Sequence, residues 1–229
     1  MPTTLATFRT WQEDRLKDRA AYLSADEKDA AIDQAVLTYS KHRPQLTHSK
    51  TAGDGTYEYA LPSGWQDTFS QVSSIEYPFG EQEPVYLEVN DWAIKHNGTA
   101  YKLRFRSCSP GASEFFLLAW TSRHSVTAGA STVYTEDEQA VADLAASYAL
   151  RKLAARSAQS RDSTIDADSV NYGGAVASYT ALADRLLRQY RDHIGVSDEN
   201  ETGIACSIGE IDTDFAWGHE HLTHPRRWR

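Results

Sequence analysis

Residues 172–195 read YGGAVASYTALADRLLRQYRDHIG. Apolar and aromatic residues recur in this stretch at intervals of three or four, which places them on one face of an α-helix. They are Tyr172, Val176, Tyr179, Ala183, Leu186, Tyr190 and Ile194. Gly195 follows, and glycine commonly ends a helix because it adopts the left-handed conformation at little cost. The pattern predicts a long amphipathic helix that packs against other helices.

A second helical pattern precedes this stretch. Residues 135–138 read TEDE, the spacing of a capping box, in which the Thr and Glu side chains each bind the other's backbone N–H. Apolar residues then follow at helical spacing to about Ala158: Val141, Leu144, Ala145, Tyr148 and Leu153. We therefore predict a helix from Thr135 and two C-terminal bundle helices within residues 125–196. The polar residues 160–171 form either a turn or the first turns of the last helix.

The N-terminal residues 1–52 predict a helical hairpin. Leu5, Phe8, Trp11 and Leu16 recur near helical spacing. Residues 24–27 read SADE, a second capping box, and a helical apolar pattern follows them. The second helix should end before Pro44, because proline does not continue a helix.

Residues 53–124 have a different pattern, with short aromatic and β-branched runs separated by turn residues. The runs are TYEYALP, FSQVSSIEYP, VYLEV, AIKHNGTAYKLRF and EFFLLAWT. Asn97 and Gly98 form an Asn-Gly pair between strand-like residues, which favours a hairpin whose two central residues have positive φ. We predict that this β module packs as a small antiparallel sheet on one end of the bundle. Its hairpin at Asn97 and Gly98 should be exposed and available to a neighbouring subunit or to another component of an assembly.

These patterns together predict an α+β fold. An antiparallel bundle of about four helices is interrupted by the β module, and residues 197–229 follow as an extended arm. The first part of the arm carries six acidic and no basic residues between Ser197 and Ala216. The arm then ends in FAWGHEHLTHPRRWR, and Trp and Arg are residue types that dominate binding hot spots. We predict that the arm binds another chain through Phe215, Trp217, His219, His221, His224, Arg226, Arg227, Trp228 and Arg229.

Composition limits the possible partners and compartments. The formal net charge is −9 over 229 residues, and no segment is strongly basic, which argues against binding that depends on phosphate neutralisation. An acidic surface is compatible with a conduit through which DNA passes without binding. Only two cysteines occur, the N-terminus lacks a signal-peptide pattern, and no stretch is long enough to span a membrane. We expect a soluble protein made in the cytoplasm and without membrane contact.

The search for catalytic motifs yields no catalytic, cofactor or metal site. The sequence contains no G-x-S-x-G, no Walker loop and no G-x-G-x-x-G. Residues 219–224 read HEHLTH, which misses the His-Glu-x-x-His zinc motif by one position. Pairs of these histidines either bind a metal together with another chain's ligand or form hydrogen bonds at an interface. We therefore expect a protein that is not an enzyme.

Several residues and motifs resemble those of the head-to-tail connector (adaptor) proteins of tailed bacteriophages and prophages. They lie within roughly residues 5–195 and include His42-Arg43-Pro44, GDGTYEYALP at 53–62, Gly64-Trp65, Ile75-Glu76-Tyr77-Pro78, Ala154-Ala155-Arg156 and Asp168-Ser169-Val170-Asn171-Tyr172. The resemblance implies a helical-bundle protomer that assembles as a ring, commonly of twelve copies, beneath the portal vertex. It implies that the partners are the portal protein, neighbouring copies and a downstream tail or stopper component.

Two classes of function follow from the sequence. The first is a virion neck protein, assembled in the host cytoplasm, whose ring joins the DNA-filled capsid to the tail. The second is a β-rich binding or carbohydrate-processing module, in which Trp65, Trp92 and Trp120 form a stacking platform. The first class predicts instead that Trp65 and Trp120 are buried where the β module meets the bundle. Four basic residues (Arg151, Lys152, Arg156 and Arg161) face DNA or an acidic partner in one interpretation and solvent in the other.

Overall fold

The helices of the bundle are α1 (Leu5–Leu16), α2 (Ala25–His42), α3 (Glu138–Gln159) and α4 (Tyr172–Ile194). The computed structural model describes residues 3–159 and 172–196, apart from the side chains of residues 172–175. A 3-10 helix, Lys17–Tyr22, continues α1 toward α2. None of the helices in this part of the chain is long and apolar enough to cross a membrane.

The capping box at the start of α2 is confirmed. The Ser24 hydroxyl accepts a hydrogen bond from the Glu27 N–H, and the Glu27 carboxylate accepts one from the Ser24 N–H. The box expected at Thr135 is wrong, because residues 135–137 form a turn and α3 begins at Glu138. The Glu138 carboxylate accepts a hydrogen bond from the Thr3 hydroxyl instead, which joins the two helix starts.

Helix α3 is the centre of the bundle. The last turns of α2 and α4 both contact Asp137, immediately before α3 begins. At its other end, the Lys152 ammonium donates to the carbonyl of Glu27 near the start of α2. Helices α2 and α4 therefore run antiparallel to α3. Helix α1 packs on the same helix, where the buried Gln12 amide donates to the Ala145 carbonyl.

Alanine on α3 allows the neighbouring helices to approach closely, because a methyl group requires little space between two backbones. Six alanines of this helix are buried: Ala140, Ala142, Ala145, Ala146, Ala149 and Ala154. Larger residues of the four helices fill two clusters along the bundle. The cluster nearer the β module contains Phe8, Tyr39, Leu144, Tyr190 and Ile194, and the distal cluster contains Leu16, Leu23, Leu150, Leu153 and Leu186. The apolar stripe predicted for α4 is thus confirmed from Ala183 to Ile194.

The β module is a two-layer sandwich rather than a single sheet. Its strands are β1 (Gln45–Ala52), β2 (Glu58–Ala60), β3 (Val72–Glu76), β4 (Trp92–His96), β5 (Tyr101–Phe105) and β6 (Phe115–Ser122). They form two antiparallel sheets of strand order β1-β6-β3 and β2-β5-β4. Both sheets contribute to one core, which contains Tyr59, Ile75, Leu103, Phe105, Phe116, Leu118 and Trp120.

Strand β1 lies outside the boundary predicted for the β module. Its eight residues pair along their whole length with β6, from Gln45 opposite Ser122 to Ala52 opposite Phe115. The sequence QLTHSKTA has no alternation of apolar and polar residues, and its one large apolar residue, Leu46, is exposed. The strand therefore lacks the sequence pattern from which strands are predicted. The division at residues 52, 124 and 196 remains a prediction.

Candidate assembly surfaces and the junction between bundle and sandwich

A buried carboxylate lies where the chain leaves the bundle for the sandwich. The Asp137 side chain is 1% exposed and accepts hydrogen bonds from the Tyr39 hydroxyl at 2.7 Å and from Arg43 Nη1 at 2.9 and 3.1 Å. His193 Nε2 lies 3.0 Å from Asp137 Oδ1. These four residues, which we call the junction cluster, come from the end of α2, the turn before α3 and the end of α4. The cluster therefore fixes three helix ends relative to one another.

The electrostatics of the junction cluster explain why the charge is tolerated. A buried carboxylate is costly unless it is paired and hydrogen-bonded. Burial, the larger cause, and the hydrogen bond to Asp137 both raise the pKa of Tyr39, so its hydroxyl stays a donor even in alkaline solution. Burial also raises the pKa of Tyr190, whose hydroxyl lies 2.7 Å from His42 Nδ1 beside the cluster. This site was not predicted from the sequence, because Asp137 fitted a capping box.

His124 lies just after β6, where the chain leaves the sandwich, and it contacts the end of α2. Its backbone N–H donates to the Ser40 hydroxyl, and its buried ring lies with Nε2 2.9 Å from the Arg43 carbonyl and Nδ1 2.6 Å from the Thr132 carbonyl. A hydrogen bond to each of these carbonyls would require a proton on both ring nitrogens. Burial lowers the pKa of His124, which disfavours this doubly protonated, charged ring. The chain segments that enter and leave the sandwich therefore lie side by side at the end of α2.

The hairpin predicted at Asn97 and Gly98 exists and is exposed, but its turn is centred one residue later. The Asn97 N–H donates to the Ala100 carbonyl, so Gly98 and Thr99 are the central residues. Within this turn Gly98 alone has positive φ, 96°, and Asn97 is not in the left-handed region. The Asn97 side-chain oxygen instead accepts hydrogen bonds from the Thr99 and Ala100 N–H groups. A Cβ on Gly98 would meet nothing within 4 Å. The tip thus projects away from the described residues.

The turn in the GDGTYEYALP stretch depends on a close backbone approach. A Cβ on Gly53 would lie 2.4 Å from the Pro110 and Gly111 carbonyl oxygens, so only glycine fits. The Gly55 N–H donates to the same Pro110 carbonyl, and φ of Gly55 is 78°. The Tyr59 hydroxyl donates to it as well, at 3.1 Å. These residues of the family resemblance therefore shape the fold of the sandwich.

The tryptophans proposed as a stacking platform belong to the sandwich core. Trp120 is 3% exposed, and Trp65 and Trp92 are half-buried against the same cluster. Trp65 and Trp120 pack within the sandwich itself, not where it meets the bundle as predicted. No group of three or more His, Cys, Asp or Glu residues suited to a metal occurs in residues 3–159 and 172–196.

The basic residues of α3 make contacts within the chain. Arg151 pairs with Asp184 of α4 at 3.2 Å, and Arg156 donates to the Tyr22 carbonyl at 2.7 Å. Together with Lys152, these residues connect α3 to the helices around it. Arg161 and the interaction residues predicted in the arm lie outside the described residues. These arm residues are Phe215, Trp217, His219, His221, His224, Arg226, Arg227, Trp228 and Arg229.

Comparison with known proteins gives structural neighbours alone. No protein-family model and no curated protein matches the sequence. Among solved structures, the chain is similar to one from the neck of an empty gene transfer agent particle computed with C6 symmetry, at 12% identity and a TM-score of 0.27, covering 67% of this chain and 75% of that one. It is also similar to one from the virion of a native particle, at 12% identity and a TM-score of 0.29, covering 77% and 91%.

A third similar chain comes from the neck of the native particle computed with C12 symmetry. Its identity is 14% and its TM-score 0.26, covering 78% of this chain and 93% of that one. All three neighbours come from gene transfer agent particles. At such TM-scores they do not establish a shared fold, so the functional argument depends on the residues of this chain.

Proposed function

We propose that this protein is a structural component of a virion neck, a head-to-tail adaptor that is not an enzyme. Copies of it form a ring under the portal, of twelve subunits as the family resemblance implies, and the ring joins the DNA-filled capsid to the tail. DNA passes through the ring without specific binding. The hairpin at Asn97 and Gly98 contacts a neighbouring copy or the next tail component, and the arm binds the portal.

The observation that carries this proposal is the position of the motif residues in the fold. Arg43, from the His42-Arg43-Pro44 motif, pairs with buried Asp137 in the junction cluster. Gly53, from the GDG motif, fits closely against the Pro110–Gly111 backbone. Both motifs therefore build the joint between bundle and sandwich or the shape of the sandwich. Such roles suit a protein that connects other bodies, and they supply no reactive group.

The competing interpretation, a carbohydrate-processing module, loses its main support in the structure. It required an open groove shared by tryptophans and paired carboxylates. Trp120 is buried in the sandwich core instead, and the groove beside β4 and β5 is lined by Tyr57, Lys95, Arg104 and Arg106 rather than by tryptophans. A tryptophan platform is therefore not formed.

A binding experiment with a truncated chain tests the adaptor proposal. The truncation should follow Val196, because its side chain is 8% exposed and packs in the bundle cluster with Ile194. The chain of residues 1–196 should keep its helical circular dichroism and fail to bind purified portal rings in sedimentation. The full chain should bind portal and form closed rings in electron micrographs. Equal affinity of the two chains for portal would show that the arm is not the anchor.

A matched control separates the anchor residues from the rest of the arm. Trp228→Ala with Arg227→Ala changes the aromatic and arginine end, whereas Asn200→Ala with Thr202→Ala changes the same number of residues near the start of the arm. We expect the first pair to weaken portal binding at least tenfold and the second pair to leave it unchanged. If neither the full chain nor any variant binds portal or forms a ring, the adaptor proposal is wrong.

A further inference from the structure

The outer face of the β2-β5-β4 sheet is basic, although the protein as a whole is acidic. Lys102 and Arg104 project from the central strand β5 on the face opposite the buried Leu103 and Phe105. Lys95 of β4 stands directly across from Lys102. Together with Arg106 beyond the strand, these residues form what we call the basic face. It borders a groove of about 720 Å³ lined by Tyr57, Ala93, Ile94, Lys95, Arg104, Phe105 and Arg106.

Within the described residues, the basic face contains two like charges that lie directly opposite one another. Like charges directly opposite one another on antiparallel strands destabilise the pairing, and Lys95 and Lys102 are such a pair. Glu58 on β2 is paired with Arg104, and its Oε1 lies 3.8 Å from Arg104 Nη1. Strand β5 separates Glu58 from Lys95 on β4. An anionic group beside β4 would relieve the repulsion between the two lysines.

The edge of the sheet next to the basic face is open in the same part of the chain. Strand β4 is an outer strand, paired with β5 on one side. Its inward residues Trp92 and Ile94 are half-buried against the sandwich core rather than fully covered. An added strand at this edge would place alternate side chains on the basic face and on the core side.

The arm contains a segment with the matching alternation. Glu210, Asp212 and Asp214 occupy every second position, so an extended backbone places their carboxylates on one face. Ile211 and Phe215 fall on the opposite face. The segment is therefore acidic on the side that would meet Lys95 and Lys102 and apolar on the side that would meet the exposed edge of the core.

We propose that residues 210–215 of the arm bind the β4 edge of the same chain as an added strand. Their carboxylates pair with the basic face, and Ile211 and Phe215 extend the sandwich core. Phe215 would thus bind within its own chain, whereas Trp217 and the residues after it stay available to another chain. The 14 residues from Val196 to Glu210 can span about 46–50 Å when extended, which exceeds the length of about 27 Å of an eight-residue strand of the sandwich such as β1. This contact would hold the start of the terminal aromatic and arginine segment against the sandwich.

A zero-length carbodiimide cross-linker tests the contact on the full chain alone, since it joins a lysine amine to a carboxylate in direct contact. Mass spectrometry should find Lys95 or Lys102 linked to Glu210, Asp212 or Asp214. In an equal mixture of ¹⁵N-labelled and unlabelled protein, each cross-link should join two peptides that are both labelled or both unlabelled. Links between labels would mean that a second copy supplies the segment, and absence of any link would mean that the edge does not bind it. Both results overturn the proposal.

Lysine acetylation measures the occupancy of the basic face without relying on cross-links. In the full chain Lys95 should react at least fivefold more slowly than exposed Lys41, and about 1 M salt should abolish the difference because it screens charges beyond about 3 Å. Replacing the three carboxylates (Glu210→Gln, Asp212→Asn, Asp214→Asn) should restore the faster rate. The matched triple change Asp198→Asn, Glu199→Gln, Glu201→Gln should not.

The remaining outcomes are equally decisive. If both triple variants raise the acetylation rate of Lys95 equally, the protection depends on net charge and not on the alternating segment, and the proposal is wrong. If Lys95 becomes protected only when duplex DNA is added, the basic face binds nucleic acid instead. These experiments use neither portal nor ring formation, so their failure would leave the adaptor proposal standing.

Discussion

Replacing Arg43 with methionine should destabilise the protein through the charge that it leaves behind. Methionine keeps an aliphatic stem, so the main loss is the guanidinium that lies 2.9 Å from a carboxylate with 1% exposure. Removing one partner of a buried ion pair typically costs about 3–5 kcal/mol. Arg43 is 32% exposed, and Asp137 keeps its contacts with Tyr39 and His193, so we expect a loss of about 3 kcal/mol.

The matched control for this change is Arg151→Met. Arg151 also pairs with a carboxylate, Asp184, but the two side chains are 48% and 50% exposed, and such pairs contribute about 0–1 kcal/mol. In calorimetry, Arg43→Met should lower the melting temperature by about 6–12 °C and Arg151→Met by less than about 4 °C. Adding Asp137→Asn to Arg43→Met should cost less than the sum of the single changes, because no buried charge remains. Equal losses for the two arginine variants would refute the role of the junction cluster.

Three other predictions use substitutions or ligands for which the structure supplies a contrast. Gly53→Ala should cost about 1–3 kcal/mol in urea unfolding, because the new methyl would overlap the Pro110 backbone, whereas Gly64→Ala should cost less than the Gly53 change since its nearest contact is 3.9 Å. Gly98→Val should lower stability by about 1–3 kcal/mol because of its φ of 96°, and Thr99→Val should have a smaller effect; equal effects would mean that the turn conformation is unimportant. The full chain should bind duplex DNA more weakly than about 100 μM at physiological salt, and micromolar affinity in a fluorescence titration would contradict the proposed DNA conduit.

The parts of the fold that were predictable are those whose signal is local. The Ser24–Glu27 capping box and the stripe from Ala183 to Ile194 depend on residues three or four positions apart, and both are confirmed. The hairpin at Gly98 was predictable for the same reason. The centre of its turn was not, because the Asn97 side chain replaces a backbone contact in a way that the Asn-Gly pair alone does not reveal.

The sites that were missed depend on contacts between distant parts of the chain. Asp137 meets Arg43, which is 94 positions away in sequence, and nothing in the residues around either one shows that they are partners. The basic face has the same origin. Lys95 and Lys102 are seven positions apart with a turn between them, and only the strand register makes them direct neighbours. The net charge of −9 therefore concealed a local surface of the opposite sign.

The two interaction surfaces that we propose, the sandwich hairpin and the arm, both connect to one end of the bundle. The chain enters the sandwich after Arg43 and returns past His124, while α4 ends beside Asp137 and continues into the arm through the buried Val196. The same cluster of side chains thus sets the direction of the sandwich and the place where α4 ends. Loosening that cluster should misplace both surfaces together, even when each surface keeps all its own residues. In the adaptor that we propose, the junction cluster would fix the spacing between the contact to the portal and the contact to the tail.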